Sequence, residues 1–228
     1  TKKTCGNRSG INMIKIFVLD DHAIIREGLQ RIVSKTDDMK IVGEARNAKE
    51  IINEALKANW DADIVLLDIT LPGRSGIEVM NELKIIRPKL QFLVLSIHPE
   101  DQYAVRALRS GASGYMTKDS APEQLIGAIR KIYSGGKYVS PSLSERLVSY
   151  VRDDRDRPLH ETLSNREFQV MCMIASGKTV TEIAKELALS VKTISAYRTK
   201  VLGKMDMKTN AQLTLYVLQK QLTDWSTV

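Results

Sequence analysis

Four short apolar runs in the first half of the sequence are each followed by a side chain that can take part in phosphoryl chemistry. Asp20 and Asp21 come after the first run, Asp68 after the third, Ser96 after the fourth and Lys118 after the fifth. If these runs are parallel strands, their carboxyl ends meet at one edge of the sheet, where open α/β sheets bind ligands. The spacing therefore predicts that the five side chains share one site.

Three carboxylates at one edge repel one another unless a hard cation lies among them. Mg²⁺ suits such a place because it prefers oxygen ligands and keeps part of its water shell. A carboxylate beside the cation and a lysine can attack phosphorus and form an acyl phosphate. Lys118 would neutralise charge on the transferred group, and the Ser96 hydroxyl would donate to it. A single aspartate after a strand often only caps a helix. Three aspartates, a serine and a lysine at successive strand ends favour phosphoryl chemistry instead.

The elements that must position these residues alternate along residues 13–134. Runs with the length of buried parallel strands lie at 14–19, 41–45, 64–67, 92–95 and 113–116. Apolar residues recur at helical spacing over 22–34, 47–58, 75–86, 100–110 and 121–134. Five βα units predict an α/β fold: a five-stranded, parallel, doubly wound sheet with helices on both faces.

The remainder of the chain divides into four segments. Residues 1–12 are polar and aperiodic, so we expect an extension or tag ahead of a natural start at Met13. Residues 135–158 form a linker, with a short helix beginning near Pro141 and a charged run at its end. Residues 159–222 are helical in rhythm, starting with a capping box at Ser164 and Glu167, and 223–228 form a tail.

The helical segment contains a break at 188–190, and the helix predicted after it, Val191–Lys204, is rich in basic and hydroxyl residues. This pattern predicts a helix-turn-helix whose second helix enters the DNA major groove. The net charge is +7, and its basic excess lies outside 13–134, where acids and bases are equal in number. That excess suits a nucleic acid, although an ordinary helical bundle with a basic face fits the periodicity equally well.

The composition also indicates a compartment. No apolar run reaches the roughly 18 residues of a membrane span, and the start lacks a secretory pattern. Cys5 and Cys172 form no CxxC motif, which fits a reducing cytosol, and Cys172 lies on the apolar side of its helix. We expect a cytoplasmic protein without a membrane partner and with Cys172 in the core.

Residues 13–134 resemble the receiver domain of response regulators over essentially their whole length. The segments that carry the resemblance are LDITLPGRSGIEV around Asp68 and SGASGYMTKDS before and after Lys118. The resemblance implies a sensor histidine kinase as partner and no catalysis beyond phosphotransfer to the domain itself and autodephosphorylation. It implies Asp68 as the phosphoacceptor, Lys118 as its phosphate-binding lysine, and Ser96 and Tyr115 as switch residues. It also implies a Mg²⁺ site made by Asp20, Asp21, Asp68 and the backbone carbonyl of Thr70.

Residues 163–206 resemble the four-helix DNA-binding domain of LuxR-type regulators, with matches at LSNRE, IASGKTVTEIA and VLGKM. Together with a receiver, the chain is similar to the NarL/FixJ class of two-component response regulators. The resemblance implies double-stranded DNA as a partner, with bases read by Ser195, Ala196 and Thr199. It implies phosphate contacts from Lys192, Thr193, Tyr197, Arg198, Lys200 and Lys204. Many relatives carry histidine at the position of Tyr197, so the contact there differs.

The family's usual regulation adds two expectations. The inactive receiver covers the recognition helix, and activation frees or dimerises the DNA-binding domain. A homodimer contact is expected from Val201, Leu213, Val217 and Leu218.

Two other function classes remain open from the residues. A Mg²⁺-dependent aspartate-nucleophile phosphohydrolase uses the same chemistry, but it expects an acid two residues after the nucleophile, where this chain has Thr70. A phospho-regulated protein-interaction module without DNA contact would lack the steep salt dependence of DNA binding.

Overall fold

The computed structural model describes residues 13–97, 100–141, 143–145, 158–220 and 222, with side chains left undescribed at 100–102. The expected extension 1–12, the tail 223–228 and much of the linker 135–158 lie outside the described residues. Within the linker, residues 141 and 143–145 are helical.

The first domain is built on a five-stranded parallel sheet, as predicted. Its strands run in the order β2-β1-β3-β4-β5, and every neighbouring pair is parallel. Their bounds are β1 Ile14–Leu19, β2 Met39–Ala45, β3 Ile64–Asp68, β4 Gln91–Ser96 and β5 Gly114–Thr117. Because all five strands point the same way, their carboxyl ends form a single edge.

A helix follows each strand, and local sequence signals fix where several of the helices begin. They are α1 Ala23–Val33, α2 Ala48–Ala55, α3 Gly76–Ile86, α4 Glu100–Arg109 and α5 Pro122–Tyr133. The Asn47 side chain accepts from the backbone N–H of Glu50 and caps α2, and Ser75 with Glu78 forms a capping box on α3. Pro122 occupies the first turn of α5, where its missing N–H costs nothing.

The helices cover both faces of the sheet and bury two apolar layers. Ile16 and Val18 of β1 pack with residues of α1 and α5, whereas Phe17 and Leu19 pack with residues of α2, α3 and α4. Fully burying a side chain of this kind contributes about 1.5–3 kcal/mol relative to leaving it exposed. Alternation along β1 thus fixes the face to which each side chain points.

The second domain is helical. A 3₁₀ helix at Leu159–Thr162 precedes α6 Asn165–Ala175, α7 Val180–Glu186, α8 Val191–Lys204 and α9 Asn210–Gln219. Ala188 adopts a positive φ of 51° in the turn between α7 and α8, and the Ser190 side chain caps α8 by accepting from the backbone of Thr193. The helix-turn-helix prediction is confirmed, with Ile183 of α7 and Ile194 of α8 both fully buried.

The two domains share one apolar cluster, which runs from the α2–α4 side of the sheet into the helical domain. Helix α6 is buried from Arg166 to Ala175 on every side, so neighbouring elements enclose it all round. Among the described residues, no helix is both long and apolar enough to cross a membrane.

Candidate functional site

The carboxyl edge of the sheet brings the predicted phosphoryl site together. Asp20 directly follows β1, Asp68 ends β3 and Lys118 directly follows β5. The Lys118 ammonium Nζ lies 2.7 Å from a carboxylate oxygen of Asp20 and 2.7 Å from one of Asp68. These residues are far apart in sequence, and the parallel strand order alone makes them neighbours.

The pocket is buried, and its charges are coupled. Only 2% of Asp20, 3% of Asp68 and 7% of the Lys118 side chain are exposed. Burial raises the pKa of Asp68 above its ordinary value, although Lys118 acts in the opposite direction. Burial would lower the pKa of Lys118, but Asp68 and Asp20 outweigh it and the pKa is raised. The lysine therefore stays charged beside the carboxylates.

The loop after β3 holds Asp68 in place. The backbone N–H of Thr70 donates to the Asp68 carboxylate at 3.0 Å, and the backbone N–H of Gly76 donates to the carbonyl of Ile69 at 2.9 Å. A Cβ atom at Gly76 would lie 2.1 Å from the Asp68 carbonyl oxygen, so any larger residue there must displace the loop. Glycine is needed here for close backbone approach.

Two residues at this edge were not identified from the sequence. Arg26 is buried and donates to the Asp20 carbonyl at 2.9 Å, so it fixes the end of β1. His22 directly follows Asp20 and Asp21, and its ring Nδ1 lies 2.9 Å from an Asp21 carboxylate oxygen. His22 could have been identified because it directly follows the two acids. No sequence signal indicated that Arg26, on a helix, would face the end of β1.

The donor set fits a divalent cation. One ligand atom from each of Asp20, Asp21, His22 and Asp68 lies within 4.8 Å of the others. The three carboxylates offer the oxygen ligands that Mg²⁺ prefers, and the single Lys118 charge does not balance them. A cation in this notch would therefore relieve the repulsion that remains.

The expected switch residues lie in the same domain core. Ser96 ends β4 and Tyr115 lies in β5, and both are fully buried. Burial raises the pKa of Tyr103 well above its usual value, and Cys172 and Tyr115 act in the same direction. Tyr115 and Tyr103 both lie in the apolar cluster that the two domains share. Burial also raises the pKa of Cys172 to about 12, and the prediction of a core cysteine is confirmed.

Helix α4 is joined to the second domain by an arginine. The Arg106 guanidinium donates to the backbone carbonyls of Leu163, at 2.7 Å, and of His160. It also stacks 4.2 Å from the ring centroid of Phe168, which meets the Tyr103 ring edge-on at 5.3 Å. No local sequence pattern predicts these contacts.

Two further contacts flank this junction. Arg109 forms an ion pair with Glu161 at 2.6 Å. In the loop after Asp68, the backbone N–H of Gly73 donates to the carbonyl of Leu187 at 2.9 Å. The loop after Asp68 therefore touches the helix-turn-helix at the end of α7.

The junction also contains polar groups that are costly to bury. The Arg166 guanidinium is 2% exposed, and its Nη2 has no hydrogen-bond partner among the described residues. His160 is 6% exposed, and its Nδ1 lies 2.8 Å from the Tyr216 hydroxyl. Burial, followed by the nearby Arg106 charge, lowers the pKa of His160 to about 4. The unpaired Arg166 nitrogen therefore costs stability, whereas the His160 ring keeps a hydrogen-bond partner.

The outward face of α8 is open to solvent. The exposed residues include Lys192, Ser195, Ala196, Thr199 and Lys200. The expectation that the receiver covers the recognition helix is therefore wrong for this structure. The receiver instead contacts α6 and the turn before α8.

Three of the expected DNA-contacting side chains also have partners within the domain. Lys204 forms an ion pair with Glu167 at 2.6 Å, and Glu167 is 7% exposed. The Arg198 guanidinium donates to the Asn210 side chain at 2.7 Å, and the Thr193 hydroxyl lies 2.8 Å from that of Ser190. Lys204 would have to break its ion pair to reach a phosphate. Tyr197 is half-buried.

The expected dimer contact is wrong for three of its four residues. Val201, Leu213 and Val217 are fully buried in the core of the helical domain, so they have no surface for a partner. Leu218 is 43% exposed, and Leu215, which was not in the prediction, is 56% exposed on the same helix. The apolar face of a helix usually packs into the core of its own domain, and the prediction had placed it against a second copy.

Comparison with known families matches both domains. Residues 16–130 match the response regulator receiver domain, and residues 161–217 match the bacterial regulatory proteins of the luxR family. The chain is 30% identical over 217 residues to the response regulator UvrY of Escherichia coli O6:H1, covering 95% of this chain and 99% of that protein. It is 32% identical over 214 residues to the response regulator GacA of Pseudomonas aeruginosa, covering 93% and 99%.

Solved structures show the same arrangement of elements. RcsB of Salmonella typhimurium matches with a TM-score of 0.66 and 25% identity, covering 93% of this chain and all of that one. RcsB of Salmonella enterica serovar Typhimurium bound to the promoter rprA matches with a TM-score of 0.63 and 26% identity, covering 91% and 99%. With both domains matched in this order, the chain belongs to the NarL/FixJ class and is a two-component response regulator with a receiver domain and a LuxR-type DNA-binding domain.

Proposed function

We propose that a sensor histidine kinase phosphorylates Asp68 and that the phosphoryl group controls binding of α8 to double-stranded DNA in the bacterial cytoplasm. The observation that carries the proposal is the pair of 2.7 Å contacts from Lys118 Nζ to Asp20 and Asp68. It places a fixed positive charge beside the carboxylate that would accept the group. A buried structural ion pair would need only one of those carboxylates.

Phosphoryl transfer from the kinase to Asp68 forms one bond and breaks one. An Asp68 carboxylate oxygen attacks phosphorus, the P–N bond of the kinase phosphohistidine breaks, and the imidazole leaves with the electron pair. Asp20, Asp21, Asp68 and the Thr70 carbonyl would hold Mg²⁺, which when bound supplies charge neutralisation at the phosphoryl oxygens. Lys118 binds one phosphoryl oxygen, and the Thr70 N–H orients the acceptor carboxylate. Ser96 and Tyr115 would then move toward the new charge.

The coupling to DNA runs through α4. Tyr115 lies in the same apolar cluster as Tyr103, and the Tyr103 ring contacts the Phe168 ring of the second domain. A shift of α4 would loosen Arg106 from the carbonyls that it binds. Because α8 is already exposed, loosening the contact between the domains does not uncover it. It lets the DNA-binding domain reorient, as two copies must do to bind inverted half-sites together. The homodimer, with Leu215 and Leu218 exposed on α9, is part of the proposal.

Phosphorylation is tested by incubating the purified chain with acetyl phosphate and Mg²⁺ and measuring the mass shift. We expect wild type to gain one phosphoryl group and Asp68→Asn to gain none. Asp61→Asn is the matched control, since Asp61 lies on a loop before β3, away from the pocket. Labelling of Asp68→Asn at the wild-type level would contradict the assignment.

DNA binding is tested by fluorescence anisotropy on a duplex as salt is raised. Lys192→Ala and Lys200→Ala should each reduce the slope of log affinity against log salt by about one. Lys49→Ala, an exposed lysine on α2, should leave the slope unchanged. A salt-independent signal would favour the protein-interaction alternative.

A further inference from the structure

A buried arginine at the start of α6 has hydrogen-bond donors that the folded chain leaves unused. Arg166 is 2% exposed, and its Nη1 donates to the side-chain oxygen of Gln169 at 2.5 Å. Its Nη2 is a buried atom without a hydrogen-bond partner among the described residues. A guanidinium stays charged in a protein, and burying a charge that is not fully paired costs free energy. Arg166 would therefore be stabilised by a state in which an anion reaches it.

The receiver lies close to this arginine. Burial lowers the pKa of Arg166, and three groups act in the opposite direction: Glu78 of α3, Tyr197 of α8 and Tyr103 of α4. Two of the three belong to the receiver. Two residues further along α6, the Phe168 ring meets the Tyr103 ring with 5.3 Å between their centroids. Separating the domains would therefore remove receiver groups from the surroundings of Arg166.

The start of α6 also runs beside the flank of α8 where phosphate contacts are predicted. Glu167, next to Arg166, pairs with Lys204 of α8 at 2.6 Å. Tyr197 precedes Lys204 by about two helical turns, so both lie on this flank. A DNA phosphate bound there would lie close to the start of α6. The charge of Lys204 is met by a carboxylate, whereas Arg166 Nη2 is unpaired among the described residues.

We propose that Arg166 binds a phosphate of double-stranded DNA and that the receiver withholds it while the two domains are in contact. Release of the receiver lets the guanidinium turn toward the DNA backbone, where it can donate two N–H groups to one phosphate. This role rests on the proposed function, because it requires α8 to bind DNA. The receiver would thereby control DNA affinity although the outward face of α8 stays exposed.

The salt dependence of DNA binding counts phosphate contacts, and fluorescence anisotropy on a duplex measures it. Arg106→Ala removes the arginine of α4 that binds the carbonyls of His160 and Leu163, so it opens the domain contact. We expect this variant to steepen the slope of log affinity against log salt by about one. Adding Arg166→Gln should remove the increase. With Arg106 intact and Asp68 unphosphorylated, Arg166→Gln should leave the slope unchanged.

Two variants separate phosphate binding from a structural role, and both are made in the Arg106→Ala background. Arg166→Lys keeps a positive charge, so it should keep the steeper slope that Arg166→Gln loses. Arg31→Gln removes one charge from an exposed position on α1 and should leave the slope unchanged. Urea unfolding shows that each variant is folded. Acetyl phosphate offers a second way to release the receiver, and it should steepen the slope of the chain with Arg106 intact.

The outcomes distinguish this proposal from the proposed function. Equal losses of slope from Arg166→Gln with and without Arg106 would show that the receiver does not withhold the arginine. No loss in the open variant would show that Arg166 does not bind phosphate. Either result overturns the inference, and DNA binding stands if Lys200→Ala still lowers the slope. Binding that is independent of salt in every variant would overturn the DNA-binding function itself.

Discussion

Replacing Arg106 by alanine should open the contact between the two domains. The guanidinium donates to the carbonyls of His160 and Leu163 and stacks on Phe168. A hydrogen bond to a charged group contributes about 1.5–3 kcal/mol and a cation–π contact about 1 kcal/mol. Because Arg106 is partly exposed, we take the combined contribution of its two hydrogen bonds and its cation–π contact as about 3 kcal/mol. That loss shifts the equilibrium between closed and open forms by about a hundredfold.

The assay is backbone hydrogen exchange of the unphosphorylated chain. In Arg106→Ala, exchange should rise in α4 and in residues 159–175, where the domains face each other, and stay unchanged in β1 and β3. Arg109→Ala is the matched control one turn along the helix, because the ion pair that it breaks with Glu161 is partly exposed. Such a pair is worth about 0–1 kcal/mol, so exchange should rise less than about fivefold.

An intermediate variant sharpens the result. Arg106→Lys keeps the charge but cannot bond two carbonyls and stack on a ring at once, so its exchange should fall between wild type and alanine. The reasoning is refuted if Arg106→Ala and Arg109→Ala raise exchange equally, or if the increase spreads over the whole chain, which would report global unfolding.

Three further results are expected. The pKa of His160 is lowered to about 4, so the neutral ring stabilises the folded form fully above about pH 6.5; this stability, at most about 3 kcal/mol, is lost as the pH falls toward 4. Urea melts across that range should show the loss in wild type, and His160→Gln should lose less stability over the same range, since only its carboxylates still titrate. Lys204→Ala should lower the free energy of unfolding by about 1–2 kcal/mol because it leaves the buried Glu167 unpaired, and it should change the salt slope of DNA binding less than Lys200→Ala does; an equal change in slope would assign Lys204 to DNA. Gly76→Ala should cost about 1–3 kcal/mol in thermal unfolding and reduce acetyl phosphate labelling of Asp68, since its Cβ meets the Asp68 carbonyl; an unaffected yield would show that the loop adapts.

Much of the first domain could be predicted because short segments of sequence determine where its strands and helices lie. Each predicted strand overlaps an observed one, and the largest shift is at β2, which starts at Met39 and was predicted to start at Ile41. Short apolar runs between amphipathic segments leave little choice of topology, and a parallel sheet then forces the strand ends together. That is why Asp20, Asp68 and Lys118 could be placed in one pocket without coordinates.

The errors share one physical origin. Periodicity shows that a helix has an apolar side, but it does not show what covers that side. Val201, Leu213 and Val217 were assigned to a dimer partner, and they lie in the domain's own core. Lys204 stays a predicted phosphate contact, but its ion pair with Glu167, across 37 residues of sequence, was not predicted. Long-range partners of this kind carry no signal in their neighbours along the chain.

The sequence by itself determined the two domains, the acidic pocket and the helix-turn-helix, because the positions of strands, helices and helix caps are set by short segments. Only the tertiary structure decided how the domains meet. Arg106, Phe168 and His160 come together through packing of α4 against residues far along the chain, and their contact leaves α8 exposed. Which surface of each domain is buried against the other depends on the shape and charge of both domains, and no single segment of sequence contains that information.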